Sequence, residues 1–135
     1  MSLEIISINN NGDASEEYIL LRATKQINLN NYAVVDRTFD DNGNVSNVFR
    51  HFYRFPSQIV QQNEYVSLRT NKGTYVLGKL ADNISIVHRF YWGSDAAIWN
   101  DGNIESAEVL KVETVSRKAT GHQPPKKIRL SIPKK

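Results

Sequence analysis

The sequence predicts an all-β fold, a sandwich or barrel of about eight or nine short strands. Three observations support this. Apolar and β-branched residues recur with a period of two, helical periodicity is hardly visible, and turn signals containing glycine or asparagine separate the apolar runs. At 135 residues, with 40% hydrophobic and 23% charged residues, the chain has the size and composition of one globular domain.

The first half of the chain contains four predicted strands. They cover residues 3–8, 17–23, 27–36 and 48–55. An Asn11–Gly12 pair supplies a tight turn after the first strand. The polar loop 40–44 predicts a hairpin between the third and fourth strands, and Pro56 ends the fourth because proline cannot donate to a ladder.

The second half continues the same pattern. Strands are predicted at residues 64–70, weakly around 75–77, and at 84–92, 96–99 and 104–110. The turn at 71–73 leads into the weak strand, and the loop 100–103 predicts a hairpin between the last two. No internal repeat indicates a propeller or a solenoid.

Charge divides the chain into two parts. A domain is predicted at 1–115, where ten basic residues face fourteen acidic ones, and a basic extension at 116–135, which has no acid and three of the four prolines. The extension contains seven cationic residues. They are Arg117, Lys118, Lys126, Lys127, Arg129, Lys134 and Lys135. We expect an extended arm that contributes little to the core.

The amino-acid composition excludes several kinds of site and segment. Without cysteine the chain has no disulfide, no thiolate nucleophile and no cysteine-bound metal. No apolar run is long enough for a membrane helix, and residues 1–8 lack the charged and apolar regions of a secretory signal.

Five segments resemble the lamin tail domain family, over about residues 4–113. The run 17–21 is similar to the family's EYV strand, and the run 27–36 is similar to its aromatic strand that ends in aspartate. The run 52–56 is similar to the family's strand that ends in Phe-Pro, and the run 59–66 is similar to the strand after it. The segment 92–109 is similar to the family's final Trp-Gly segment. Two segments depart from the family pattern. Asn31 replaces a glycine, and Gln62 with Asn63 replaces a proline-glycine pair.

The resemblance implies an immunoglobulin-like antiparallel sandwich without a catalytic centre. It also implies an interaction module that binds proteins or nucleic acid, and it favours an extracytoplasmic location in bacteria. We expect no enzyme activity and no cofactor, and a protein or polymer as partner. Two alternatives are a nucleic-acid-binding protein and a metal-dependent hydrolase accessory or cryptic enzyme.

Few residues suggest a reactive site. His51 and His88 lie in predicted strands and His122 lies in the extension, so no pair has the spacing of a metal site, and we expect structural histidines. No serine has the glycine context of a nucleophile elbow. The acidic loop 40–44 lacks the ligand spacing of a calcium loop, which favours a solvated turn over adventitious calcium.

Two strands carry alternating basic and aromatic residues. Arg50, Phe52 and Arg54 share one face of the fourth strand, and Arg89 and Tyr91 share one face of the strand at 84–92. If both rows face outward on one sheet, they form a cationic stacking platform for nucleic acid, glycans or a peptide. Alternatively the aromatics are core residues and the arginines are solvated.

The basic extension has three interpretations. It is a solvated terminal segment, or it contacts polyanions in a salt-sensitive way. The third is that Ile128, Leu130 and Ile132, which alternate with polar residues, add as a strand to the sheet of a partner.

Overall fold

The computed structural model describes residues 2–10, 13–38, 51–99 and 105–121. These residues form ten strands and one short 3₁₀ helix, Leu29–Asn31. The strands are β1 (Leu3–Asn9), β2 (Tyr18–Ala23), β3 (Ile27–Asn28), β4 (Tyr32–Thr38), β5 (His51–Arg54), β6 (Ile59–Val60), β7 (Tyr65–Arg69), β8 (Val76–Lys79), β9 (Ile86–Tyr91) and β10 (Glu105–Lys111). The predicted all-β class is therefore confirmed.

The strands form two main sheets and a short ladder. One sheet has the order β1-β2-β7-β9-β8, the second has the order β10-β4-β5, and β3 pairs with β6. The expectation of a wholly antiparallel sandwich is wrong for the first sheet, which is mixed because β7 and β9 run parallel. The predicted pairing of the third and fourth strands is confirmed, since β4 and β5 are antiparallel neighbours.

A single apolar core lies between the two main sheets. Strands of the first sheet contribute Leu21 and Leu68, and the second contributes Val34, all fully buried. Phe55, which follows β5, meets Phe90 of β9 edge to face with 5.2 Å between ring centroids. Because the side chains of a strand alternate between its faces, these positions fix which face of every strand points outward.

The weak strand predicted around 75–77 is β8, which pairs with β9, so β9 lies between β7 and β8. The predicted hairpin of the last two strands is wrong, since residues 96–99 are irregular and β10 pairs with β4. The reason is long-range contact, which turn chemistry alone does not specify.

The irregular segment 94–99 is held by a buried carboxylate. Glu17 is fully buried just before β2. Its Oε1 accepts hydrogen bonds from Thr70 Oγ1 at 2.6 Å and from Ile98 N at 2.7 Å, and its Oε2 accepts one from Trp99 N at 3.1 Å. The segment thus obtains its main-chain partners from a side chain, which places Ile98 and Trp99 in the core.

After β10 the described chain is mostly exposed. Residues 113–121 are exposed throughout and form no strand. Among the described residues, no helix has the length and apolar character needed to cross a membrane.

Candidate binding surface

The outer face of the five-stranded sheet gathers arginine and tyrosine side chains. In β7 and β9 the core-facing residues include Leu68 and Phe90, which are opposite each other in the ladder. The alternate positions therefore point outward, and the register continues this face into β2. We call the resulting surface the Tyr–Arg face. Its aromatic and cationic residues are Tyr18, Arg22, Tyr65, Arg69, Arg89 and Tyr91, and the buried Ser67 and Val87 lie among them on the same face.

Three of these residues form a row across adjacent strands. Tyr18 of β2 is opposite Arg69 of β7, which in turn is opposite Tyr91 of β9. The Arg69 guanidinium lies over the Tyr18 ring, with its central carbon 5.1 Å from the ring centroid. All three side chains are partly exposed. A cation between two aromatic rings is suited to a ligand that has both planar and anionic groups.

The loop after β7 packs on the end of this row. Gly73 lies against the Tyr91 ring, so closely that a Cβ at position 73 would be 2.5 Å from Tyr91 Cδ2. Only glycine, which has no Cβ, fits this close to the ring. The contact covers part of the Tyr91 ring, which stays partly exposed.

The three arginines of the Tyr–Arg face differ in their partners. Arg22 is paired with Glu4, its Nη2 being 3.0 Å from Glu4 Oε2. Arg89 donates from Nη2 to the carbonyl oxygen of Lys79 at 2.9 Å. Within the described part of the chain, Arg69 forms no ion pair and has only the Tyr18 ring beneath it. Of these three guanidinium groups, that of Arg69 therefore has the most N–H donors left for a ligand.

The two predicted basic-aromatic rows lie on different sheets. Arg89 and Tyr91 belong to the five-stranded sheet, whereas Phe52 and Arg54 lie on the outer face of β5 in the three-stranded sheet. Phe52 is 50% exposed. Arg54 donates to Asn30 O at 2.8 Å and Thr114 Oγ1 at 3.2 Å. The condition for one platform from both rows is not met, because β5 and β9 do not share a sheet.

Several predicted residues fall outside the described part of the chain. These are Arg50 and the tail residues Lys126, Lys127, Arg129, Lys134 and Lys135, together with the loop 40–44, and His122. Of the seven cationic tail residues, Arg117 and Lys118 are described, and both are exposed.

His88 is part of a hydrogen-bonded chain near the edge of the core. Its Nε2 is 2.9 Å from Glu64 Oε1, and its Nδ1 is 2.9 Å from the Tyr75 hydroxyl. Burial raises the pKa of Glu64, but hydrogen bonds from His88 and from the Gln61 main-chain N–H, with the electrostatic attraction of His88, outweigh it and lower the pKa overall. Burial and the negative charge of Glu64 raise the pKa of Tyr75.

His51 has a different partner. Its Nδ1 is 3.1 Å from Oδ2 of Asp36, and its main-chain N–H donates to Oδ1 of the same residue at 2.6 Å. Asp36 is fully buried on β4, so this pair joins β4 to β5 through side chains as well as through the ladder.

The residues that sequence reasoning missed are Tyr18, Arg22, Tyr65 and Arg69. Alternation places Tyr65 and Arg69 on one side of their strand, but it does not show that β7 lies between β2 and β9. The parallel β7–β9 pair joins strands that are separated by β8 in the sequence. No local signal identifies such a neighbour.

Comparison with known proteins adds no relative. No protein-family model matches the chain, and no curated protein matches it. The similarity to lamin tail domains remains a prediction from the residues.

Proposed function

We propose that this chain is a non-catalytic interaction module, similar to lamin tail domains, that binds an extended anionic polymer or protein segment on the Tyr–Arg face. The observation that carries the proposal is the Tyr18–Arg69–Tyr91 row, in which an arginine with no described acid partner lies between two tyrosines. Aromatic faces and a guanidinium supply stacking and charge to the same ligand.

Two buried acids, Glu17 and Asp36, and the partly exposed Glu64 support the non-catalytic part of the proposal. Glu17 is engaged with three donors, Asp36 is bonded to His51, and Glu64 is bonded to His88 and Gln61. Each of these carboxylates satisfies donors that the fold itself presents. Catalytic acids and bases are instead expected to keep hydrogen-bonding capacity for a substrate.

The test compares two arginines on opposite faces. Arg69→Gln should weaken binding of a fluorescent polyglutamate probe or a single-stranded oligothymidine by about tenfold, equivalent to about 1.4 kcal/mol. Arg54→Gln is the matched control, because it removes the same charge from the outer face of the other sheet. Equal affinities of the two variants would show that the Tyr–Arg face does not bind these probes.

A second candidate function is nucleic-acid binding driven by the basic extension. The observation that favours it is the segregation of seven cationic residues into 116–135, of which Arg117 and Lys118 are exposed. Deleting 116–135 should then weaken oligonucleotide binding strongly and reduce the salt dependence of the binding that remains. Unchanged affinity after the deletion, with loss in Arg69→Gln, assigns the binding to the Tyr–Arg face alone.

A further inference from the structure

A groove separates the edge strands of the two main sheets. β1 is one edge of the five-stranded sheet, and β10 is one edge of the three-stranded sheet. The groove has a volume of about 400 Å³ and is lined by Ser2, Leu3, Lys25, Tyr32, Val109 and Lys111. It continues past Leu3 and Val109 toward Glu4 and Ile5. We call it the edge groove.

The main chain of β10 turns groups that have no partner among the described residues toward the edge groove. Val112 N donates to Asn31 O at 2.8 Å, just beyond the β10–β4 ladder. Opposite residues of an antiparallel pair alternate between hydrogen-bonded and non-hydrogen-bonded positions. Leu110 is therefore bonded to β4, whereas the N–H and C=O groups of Val109 and Lys111 point away from β4.

The same reasoning applies to β1. Thr24 N donates to Ser2 O at 3.0 Å, so the alternation turns the main-chain groups of Leu3 and Ile5 away from β2. Beyond Ile5 the register shifts at a bulge, which makes β1 the less regular of the two edges. The seven paired residues of β10 give the longer and straighter template for another strand.

One carbonyl group on the opposite edge of the five-stranded sheet already has a side-chain partner. There, Arg89 crosses Gly78 and donates to the carbonyl oxygen of Lys79 on the free side of β8. Among the described residues, no side chain forms such a bond to the main chain of Val109 or Lys111. Exposed strand edges of this kind are where extended peptides add to sheets.

Charge indicates what kind of peptide fits. Lys25 and Lys111 are both exposed and line the same part of the edge groove. Neither forms an ion pair with a described acid. Leu3, Tyr32 and Val109 provide apolar surface beside them.

We propose that the edge groove docks an extended acidic segment of a partner protein, which adds as a strand to β10. Its inward side chains lie on Leu3 and Val109, and its carboxylates reach Lys25 and Lys111. This site is separate from the Tyr–Arg face, which lies on the outer surface of the five-stranded sheet.

The first test uses a labelled peptide of alternating valine and threonine that ends in aspartates. We expect fluorescence anisotropy to show saturable binding, and amide NMR signals of Val109 and Lys111 to shift more than that of Leu77 on the β8 edge. N-methylation of alternate peptide nitrogens should abolish binding. Equal binding of a peptide in which lysines replace the aspartates would overturn the proposal.

Variants localise the binding. Lys25→Glu combined with Lys111→Glu should weaken peptide binding by about tenfold through two lost charge pairs. The matched control is Arg117→Glu with Lys118→Glu, which changes net charge equally at exposed positions outside the edge groove. An equal loss in the control would reduce the effect to net charge and overturn the proposal.

A backbone variant separates strand addition from simple charge attraction. Val109→Pro removes an N–H that faces the edge groove and leaves the bonds to β4 in place, whereas Leu77→Pro removes one on the β8 edge. Only Val109→Pro should lose peptide binding, with both proteins folded by circular dichroism. If Val109→Pro fails to fold, the charge variants decide. Self-association of the chain through the β10 amides, if it blocks peptide binding, would assign the edge groove to a second copy of the chain. That result would overturn the proposal of a partner protein.

Discussion

At the scale of single residues, buried acids determine much of the structure. Glu17 carries its carboxyl group into the core and meets three donors there, two of them main-chain N–H groups of the segment 94–99. A buried donor that loses its acceptor costs about 1–3 kcal/mol. The segment has no ladder of its own, so Glu17 substitutes for a neighbouring strand.

Replacing Glu17 should therefore be costly. We expect Glu17→Ala to lower the free energy of unfolding by about 3 kcal/mol, because buried N–H groups lose their acceptor. Glu17→Gln should cost about 2 kcal/mol, since one amide nitrogen then faces a donor. Urea unfolding followed by tryptophan fluorescence measures both. Glu113→Gln, at an exposed position after β10, is the control and should change stability by less than about 0.5 kcal/mol. A loss of that small size in Glu17→Ala would show that the carboxylate does not hold the segment.

Glu64 gives a prediction about pH. Hydrogen bonds from His88 and Gln61 outweigh burial and lower the pKa of Glu64 below its ordinary value of 4.5. A carboxyl whose pKa is lowered by folding stabilises the protein above the unfolded pKa, and this contribution is lost as pH falls through the folded pKa. The difference in unfolding free energy between wild type and Glu64→Gln should therefore be largest near neutral pH and shrink below about pH 4. Urea titrations at several pH values measure it. A difference that stays constant down to about pH 3 would contradict this assignment.

At the scale of elements, β8 is a short edge strand with exposed apolar side chains. Val76 is 46% exposed and Leu77 is 54% exposed. Such an edge favours pairing between molecules unless something covers it. Arg89 covers the Lys79 carbonyl oxygen on this edge. Its side chain crosses Gly78 to reach that oxygen, a path that a Cβ at position 78 would block. A Cβ at position 78 would lie 2.1 Å from Arg89 Nη1.

Two substitutions should uncover this edge by different routes. Arg89→Ala removes the guanidinium, and Gly78→Val displaces it while the arginine remains. Both are expected to increase self-association at high protein concentration, measured by sedimentation velocity, with a stability loss of only about 1 kcal/mol. Arg54→Ala, on the outer face of β5, is the control for loss of an exposed arginine. Unchanged sedimentation of both β8 variants would mean that Arg89 does not protect the strand.

The elements themselves were largely predictable, and their arrangement was not. Alternation separated Tyr53 and Phe52 onto opposite faces of β5, and the structure places Tyr53 toward the core and Phe52 outward. Turn signals also located most strand ends. The position of β9 between β7 and β8, and the pairing of β10 with β4, depend on packing between distant segments. The Tyr–Arg face follows from that order, so the sequence predicted its β9 residues, Arg89 and Tyr91, and missed those on β2 and β7.

At the scale of the whole molecule, the two proposed surfaces use different properties of one sandwich. The Tyr–Arg face needs a wide sheet, because its row spans three neighbouring strands. The edge groove needs two sheets that end side by side without sharing a strand. A chain with both features has room for two ligands at once, and binding of one should leave the affinity for the other unchanged.

The basic extension, residues 116–135, is expected to contribute little to the stability of the domain. Residues 113–121 are exposed, with Val115 at 89%, and the strands that enclose the core end at Lys111. We therefore expect deletion of 116–135 to change the free energy of unfolding by less than about 0.5 kcal/mol, as for exposed surface positions. Urea unfolding of the full-length and shortened chains measures this. Lys111→Pro is the comparison variant, because the N–H that it removes faces the edge groove and is not bonded to β4. This variant keeps the chain at full length and tests whether the end of β10 tolerates a substitution. If the deletion instead lowers stability by several kcal/mol, part of 116–135 packs on the domain, and the boundary predicted at residue 115 is wrong.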